Sequence, residues 1–437
     1  MRRLGVVVLL LVVGASPVLL AGGFLQVEPV PGGMVVRSTG PEPQSSFELT
    51  FSERAGGISA WYDLDRDPGR THNLAGHGDL PSVALLTHGL TLVGSQWREV
   101  LYSAPAQSLT VPEDDVVRVQ LRLEGSYSPL SVAQEYRREG EGPRPRAGVP
   151  SRSSPLRFVT TYTLYPVGQL YVRHSLLSAA TTVRVAASEW LLATAPTSDF
   201  QTLGSAAGAR QPDGGEERPA ASNFLLHRSS GPVDFADVLL IPSRPRLPVT
   251  RWGERFSLGE QGQGATRSAF EANPPGTILG AEPSVWCFSV HIEPDWVDRA
   301  ELASAVVEAY QRPPALTVEP GWGEVVHSDP GDLNLDGFSE GEGCYMLRAV
   351  PAGCRLTVNL SDALLTAPVF RFAGWRGSAP RTITVNGKPW SREQDFQAVL
   401  LDESTLLVQL YHELPGGQVT LEVTTGLARP PAPASLP

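Results

Sequence analysis

An all-β chain, built as a large antiparallel sandwich followed by a smaller one, is what three features of the sequence predict. Short runs rich in Val, Leu, Thr and aromatic residues recur along its length, clusters of Gly, Pro, Asp and Ser separate them, and only one segment repeats at a helical period. The runs of the first sandwich are Gly33 to Ser38, Ser46 to Ser52, Ile58 to Leu64, Ser82 to Val93, Val116 to Leu123, Phe158 to Tyr165, Leu170 to Leu177, Thr182 to Ala193, Phe235 to Ile241 and Ser284 to Ile292. Between them, Gly140 to Ser154 and Pro196 to Ser222 hold few apolar residues and read as loops or lids.

The helix is expected from Asp295 to Gln311, where Trp296, Ala300, Ala303, Val306, Val307 and Tyr310 form one apolar stripe and Pro313-Pro314 stops it. It marks the junction. Strands resume at Pro368 to Gly374, Arg381 to Val385, Phe396 to Leu401, Thr405 to Leu410 and Gln418 to Thr424, with Asn386-Gly387 as a two-residue hairpin turn. The organisation that follows is a signal segment at 1–23, a large sandwich at 24–315, a smaller sandwich at 316–427 and a disordered Pro/Ala tail at 428–437.

The N-terminus has the three parts of a secretory signal: Arg2-Arg3, an apolar run from Leu4 to Leu20, and small residues at Ala21-Gly-Gly23. A secreted, periplasmic or cell-surface location is expected, with no stable membrane span once the signal is removed. The formal charge of −11 falls to −13 when Arg2 and Arg3 leave with the signal. No basic stripe accompanies it, so nucleic acid is not an expected partner. Three cysteines, Cys287, Cys344 and Cys354, allow one disulfide at most. If Cys344 to Val350 and Cys354 to Leu360 form a hairpin around Pro351-Ala-Gly353, those two thiols lie about 20 Å apart. The pairing is then Cys287 with one of them, or all three are buried thiols.

The most informative local pattern is Asp332-Leu-Asn334-Leu-Asp336-Gly337-Phe338-Ser-Glu340-Gly-Glu342. Side-chain oxygens at alternate positions, a glycine for the sharp turn and a backbone carbonyl after it suit a hard cation. The segment resembles the calcium loop of dockerin modules and EF-hands. That resemblance implies a structural calcium held by Asp332, Asn334, Asp336, the Phe338 carbonyl, Glu340 and Glu342. The family's closing acid is replaced by Gly343, and Cys344 to Val350 alternates like a strand, so the loop reads as grafted onto a β scaffold without a cohesin-binding pair. Asp63-Leu-Asp65-Arg-Asp67-Pro-Gly69 echoes the alternation, but Arg66 and Pro68 make it a β-turn.

Gly56 to Asp63 and Thr160 to Arg173 give the first half a likeness to the sandwich domains of carbohydrate-active proteins, including the galactose-mutarotase-like supersandwich. The likeness implies a carbohydrate or cell-surface polymer as ligand. A two-residue turn at Val167-Gly168 would set Tyr162 opposite Arg173, with Tyr171 on the same face. Such a trio could neutralise a uronate and move the proton of a β-elimination, which makes a polysaccharide lyase the alternative reading. A one-residue slip of register would break it. A non-catalytic envelope or adhesion role is the third reading. Glu189, Asp199, Glu254 and Glu271 are unranked carboxylates, His72, His77 and His88 match no zinc spacing, and Trp61, Trp190, Trp252 and Trp375 are either sugar platforms or core. No serine-hydrolase elbow, phosphate loop or dinucleotide fingerprint is present.

Overall fold

The computed structural model describes residues 24–40, 46–53, 57–71, 73–74, 87–93, 98–103, 108–114, 117–128, 137–138, 156–178, 183–196, 200–205, 208–210, 224–229, 237–243, 249–258, 263–273, 278–279, 283–293, 300–361, 365–414 and 416–425. Within 87–103, 183–210 and 249–279 the description is of backbone alone. The fold is all-β, with the helix Ala300–Gln311 beside four sheets. Among the described residues no helix is long and apolar enough to cross a membrane.

The first sandwich opens with a four-stranded meander, Leu25–Val30, Gly33–Ser38, Phe47–Ser52 and Gly57–Asp63, each strand paired with the next. Its first turn is Pro31-Gly32, where Gly32 takes a φ of 75° that proline-then-glycine turns require. The meander lies on the middle of a sixteen-stranded sheet, over the consecutive neighbours Val119–Ser128, Leu156–Leu164, Gln169–Ser178 and Ser284–Glu293. Period-two alternation builds this core: Leu170 and Val172 point in, as do Trp286, Phe288 and Val290, against Phe51, Ile58 and Trp61 of the meander. Each such side chain contributes roughly 1.5–3 kcal/mol on burial. Phe51 meets Tyr162 edge-on at 5.1 Å between ring centroids.

The second sandwich pairs a five-stranded sheet (Ala315–Val318, Gly353–Ser361, Gly417–Thr424, Thr382–Val385, Lys388–Ser391) with a six-stranded one. The latter runs Gly323–Val325, Cys344–Ala349, Val369–Ala373, Thr405–Leu410 and Phe396–Asp402, with Phe338–Ser339 joined to Cys344–Ala349. Leu356, Val358 and Leu421 of one sheet share a core cluster with Phe370, Phe372 and Leu407 of the other. That cluster also takes in Val117, Tyr165, Tyr171 and Ile241, from before the helix, so apolar packing is continuous between the sandwiches.

Several expectations are corrected. Cys344–Ala349 and Gly353–Ser361 do not form a hairpin: the chain passes between them from one sheet to the other, leaving a lone bridge at Val350 and Gly353. Cys344–Ala349 instead pairs in parallel with Val369–Ala373. None of the three cysteines is in a disulfide, and all are buried. Two strands, Phe200–Ser205 and Gly208–Arg210, occupy the stretch read as a loop after Pro196. Asn386-Gly387 is the expected two-residue turn, with φ of 49° and 73° and Val385 opposite Lys388. The signal segment, Gly140 to Ser154 and the tail from 428 lie outside the described residues, as do positions 295–299 of the expected helix.

Candidate functional site

The face of the first sheet turned away from its own core carries polar side chains in rows. Residues opposite one another in antiparallel strands share a face, so the register aligns Gln120, Thr163, Tyr171 and Ser289 across four strands. Gln169 and His291 form the next row. All six are buried. Gln120 Nε2 donates to Thr163 Oγ1 at 3.2 Å, and the His291 ring lies 3.1 Å from Ser289 Oγ. Burial without an anion beside it pushes the His291 imidazole down to about 4, so it is neutral at pH 7.

The expected trio of Tyr162, Tyr171 and Arg173 does not form. The hairpin pairs Leu164 with Leu170 and closes with Tyr165 N–H donating to the Gln169 carbonyl, so the turn is the three residues 166–168 and not two; Tyr162 faces Val172 and Arg173 faces Thr161. That is the one-residue slip, and it puts Tyr162 in the core while Tyr171 and Arg173 stay on the polar face. Burial raises the phenols of Tyr162 and Tyr171, and neither is suited to accept or deliver a proton at neutral pH. His174 lies opposite Thr160 on the core face. Its ring stacks between Phe158 and Trp286 and bonds Thr160 Oγ1 at 2.8 Å and the Tyr127 hydroxyl at 2.9 Å.

What covers the polar rows is the chain's own segment 339–343, carried by the second sandwich. Tyr165 donates to the Glu342 carbonyl at 2.8 Å and Tyr310, on the helix, to the Glu340 carbonyl at 3.0 Å. Gly343 sits against the Tyr171 ring: a Cβ there would lie 2.2 Å from Cε2. Gly341 lies over the stem of Arg173, where a Cβ would be 3.1 Å from the arginine's own. The Glu342 carboxylate accepts from Arg118 Nη1 at 2.6 Å and from Arg371 Nη1 at 3.3 Å, one guanidinium from each sandwich. Burial alone would raise this carboxyl, but the two guanidiniums outweigh it and hold Glu342 below the usual carboxylate range. Glu342 is therefore a clamp between the sandwiches and not the calcium ligand expected from the sequence: its carboxylate is engaged by Arg118 and Arg371.

The hook itself begins ten residues upstream. Asp332, 4% exposed, accepts the backbone N–H groups of Asp336 at 3.2 Å and Gly337 at 2.8 Å, while Asn334 Oδ1 accepts the Asp336 N–H at 3.0 Å. Asp336 Oδ1 accepts from Phe338 N–H at 2.8 Å. Gly337 makes the sharp turn with a φ of 91°. Its carbonyl accepts from Met346 in the ladder, which leaves the Phe338 carbonyl on the side away from that strand, the side its N–H takes toward Asp336. Glu340 turns back to the Leu333 N–H at 2.9 Å.

Burial first, then the fields of Asp336 and Asp332, raise the Glu340 carboxyl to about 7, and Asp336 is raised by burial and by the field of Asp332. The Tyr345 hydroxyl, buried and within the field of Asp336, has no hydrogen-bond partner among the described residues. Among the described residues no three His, Cys, Asp or Glu side chains are gathered as a ready metal centre. The hook offers a mixed set: two carboxylates, an amide oxygen and a backbone carbonyl, with Glu340 alongside. These are hard oxygen donors without a salt-bridged cation among the described residues, and in type they fit calcium.

The other expected residues divide simply. Asp63 Oδ1 accepts the Asp65 and Arg66 N–H groups and closes a turn on its own backbone. Trp61 and Trp375 are fully buried and belong to the cores. His72, His77 and Asp199 lie outside the described residues, as do the side chains of His88, Glu189, Trp190, Trp252, Glu254 and Glu271. Arg118, the buried partner of Glu342, was not singled out from the sequence. An arginine between Val117 and Val119 at the head of an apolar strand was the available signal.

No protein-family model matches the chain, and no curated protein does. Solved structures similar to it include the galactose 1-epimerase of Lactobacillus acidophilus NCFM, at 9% identity over 62% of this chain and 98% of that one, TM-score 0.31. Another is the aldose epimerase homologue of C. elegans, at 9% identity over 58% and 97%, TM-score 0.30. At these scores the likeness carries no argument, and the all-β sandwich assignment stands on the strand pairing of the chain itself.

Proposed function

We propose that this chain is an exported, calcium-stabilised protein of two β-sandwiches that binds a carbohydrate or another cell-surface polymer. The observation that carries the reading is that hook and clamp are one segment: Asp332 to Glu340 turns directly into Glu342 and Gly343, which lie on the polar face of the first sandwich. Asp332, Asn334, Asp336, the Phe338 carbonyl and Glu340 would hold the ion. When bound, calcium supplies positive charge that offsets the repulsion among these acids. The residues of the chain do the rest: Tyr165, Tyr310 and Arg118 fix the segment that the hook presents.

The lyase reading loses its support, because Tyr162 is a core residue and Tyr171 is sealed beneath Gly343. Support for a polymer ligand comes from the sheet face that bears the polar rows, which continues past the clamp into positions that are not buried. The test is a pair of measurements on the full chain. Calcium is expected to raise the melting temperature, and a panel of immobilised polysaccharides is expected to retain the protein. A melting curve indifferent to both calcium and chelator, together with no retention on any polymer, would overturn the proposal.

A further inference from the structure

Beyond the clamp, the polar face of the first sheet carries three arginines against one acid among the described residues. Arg122, Thr161 and Arg173 form one row across three strands, Glu124, Val159 and Ser175 the next, and Arg157 lies further along the middle strand. Flanking residues prove the face: Leu121 and Leu123, Leu156 and Phe158, and Val172 all point into the core. Arg122 and Arg157 are exposed, and Thr161, Arg173 and Ser175 are half-buried. The segment 339–343 walls one side, where Gly341 covers the stem of Arg173.

Glu124 is the one acid in these rows, and it pairs with Arg122 at 2.8 Å. Arg173 faces Glu342, but that carboxylate is already bonded to Arg118 and Arg371, and the buried Arg173 Nε has no hydrogen-bond partner among the described residues. Positive charge therefore exceeds negative along a strip in which Arg122 and Arg173 stand about 10 Å apart, two strand spacings, and Arg157 lies about 13 Å further along the middle strand. Threonine and serine hydroxyls lie between them. The chain as a whole carries −11, so its overall field repels polyanions and offers no diffuse attraction for one. The basic residues of the strip are all arginines. Arginine's planar fork matches carboxylate and sulfate ester groups two oxygens at a time.

We infer that the strip of Arg122, Arg157, Arg173, Thr161 and Ser175 is a binding surface for an acidic polysaccharide, its guanidiniums taking the charged groups and its hydroxyls the sugar hydroxyls. This rests on the carbohydrate reading above and adds the charge of the ligand and the residues that read it. The test is affinity electrophoresis of the full chain in gels containing polygalacturonate, its fully methyl-esterified form, dextran sulfate or dextran. Retardation is expected with the two acidic polymers and is expected to vanish with the two neutral ones.

Arg122→Glu/Arg157→Glu, a change at two exposed positions, is expected to weaken binding at least tenfold with an unchanged melting temperature, and Arg122→Gln/Arg157→Gln to weaken it less. Retention by carboxylate alone, or by sulfate alone, would fix which acid the strip takes. Equal retardation by free and esterified polymer, or by the Glu double variant and the parent, would overturn the inference while leaving the carbohydrate reading in place. Retardation by none of the four polymers would overturn the inference, while the wider polysaccharide panel and the calcium response decide the carbohydrate reading.

Discussion

Arg118 and Glu342, 224 positions apart in the sequence, meet at 2.6 Å and tie the first sandwich to the second. Arg118 is 1% exposed, so it has been taken almost wholly out of water, and the carboxylate is part of what makes that tolerable. Arg118→Ala is expected to leave Glu342 half-paired and to cost about 3 kcal/mol of stability. Urea denaturation of parent and variant measures it, and a change within 0.5 kcal/mol would refute the clamp.

Gly343 allows no side chain. With a φ of 66° and the Tyr171 ring 2.2 Å from any Cβ, Gly343→Ala must push the segment off the first sandwich. A loss of about 1–3 kcal/mol is expected from overpacking and strain. Limited proteolysis should find new cleavage within 339–343, whereas Gly387→Ala, at a turn with open space around it, should show none.

Calcium removal is the direct test of the hook. A chelator is expected to lower the melting temperature of the parent by several degrees. Asp336→Ala is expected to start lower and to show no further response, because two adjacent donors, Asp336 itself and the Asn334 bonded to it at 2.8 Å, are lost or released together. Equal chelator sensitivity in parent and variant would place the ion elsewhere.

The pH dependence has a definite sign. Glu340 titrates at about 7 in the folded chain against 4.5 unfolded, so the native state keeps a proton that the unfolded state has released. In chelator, stability is therefore expected to fall as pH rises from 4.5 to about 7, by up to about 1.4 kcal/mol per unit from this group. Glu342, held low, works in the opposite sense: its contribution is present above the ordinary carboxylate pKa and is lost as pH falls through its own. Glu340→Gln should remove the decline toward neutral pH and keep the loss in acid. Denaturation midpoints across pH 4 to 8 distinguish the two.

Tyr162→Phe separates core from chemistry. Buried beside Phe51, it is expected to cost under about 1.5 kcal/mol and to leave polysaccharide retention unchanged. A selective loss of retention at full stability would restore Tyr162 as a ligand-facing residue.

Local signals made much of this architecture legible. Gly33–Ser38 and Thr405–Leu410 lie where their alternation and bounding turn residues put them, and Asn386-Gly387 is a turn because few other pairs take two positive φ angles cheaply. Misreadings arose where the answer depends on distant residues. Val167-Gly168 suggests a two-residue turn that sets Tyr162 opposite Arg173, while Pro166 joins it as a third turn residue and shifts the register by one. Pro351-Ala-Gly353 looks like a hairpin turn, yet the strands on either side find better partners in separate sheets. Glu342 carries an oxygen at a plausible spacing for a cation, and nothing near it in sequence announces that Arg118 and Arg371 would claim it. The polar rows have no local signature, because Gln120, Thr163 and Ser289 each lie on a different strand and only strand register brings them into line.

Phe24, the first described residue, rests its ring 5.9 Å from that of Tyr411, and its carbonyl accepts from Thr39. The opening strand thus has one of its neighbours near the far end of the polypeptide. A contact of such long sequence separation forms late, since the entropy of closing the intervening chain must be met first. Pairing of Leu25–Val30 with Gly33–Ser38 closes only a short turn, whereas the Phe24–Tyr411 contact must close the whole chain between the two sandwiches, so its entropic cost falls on a single ring pair.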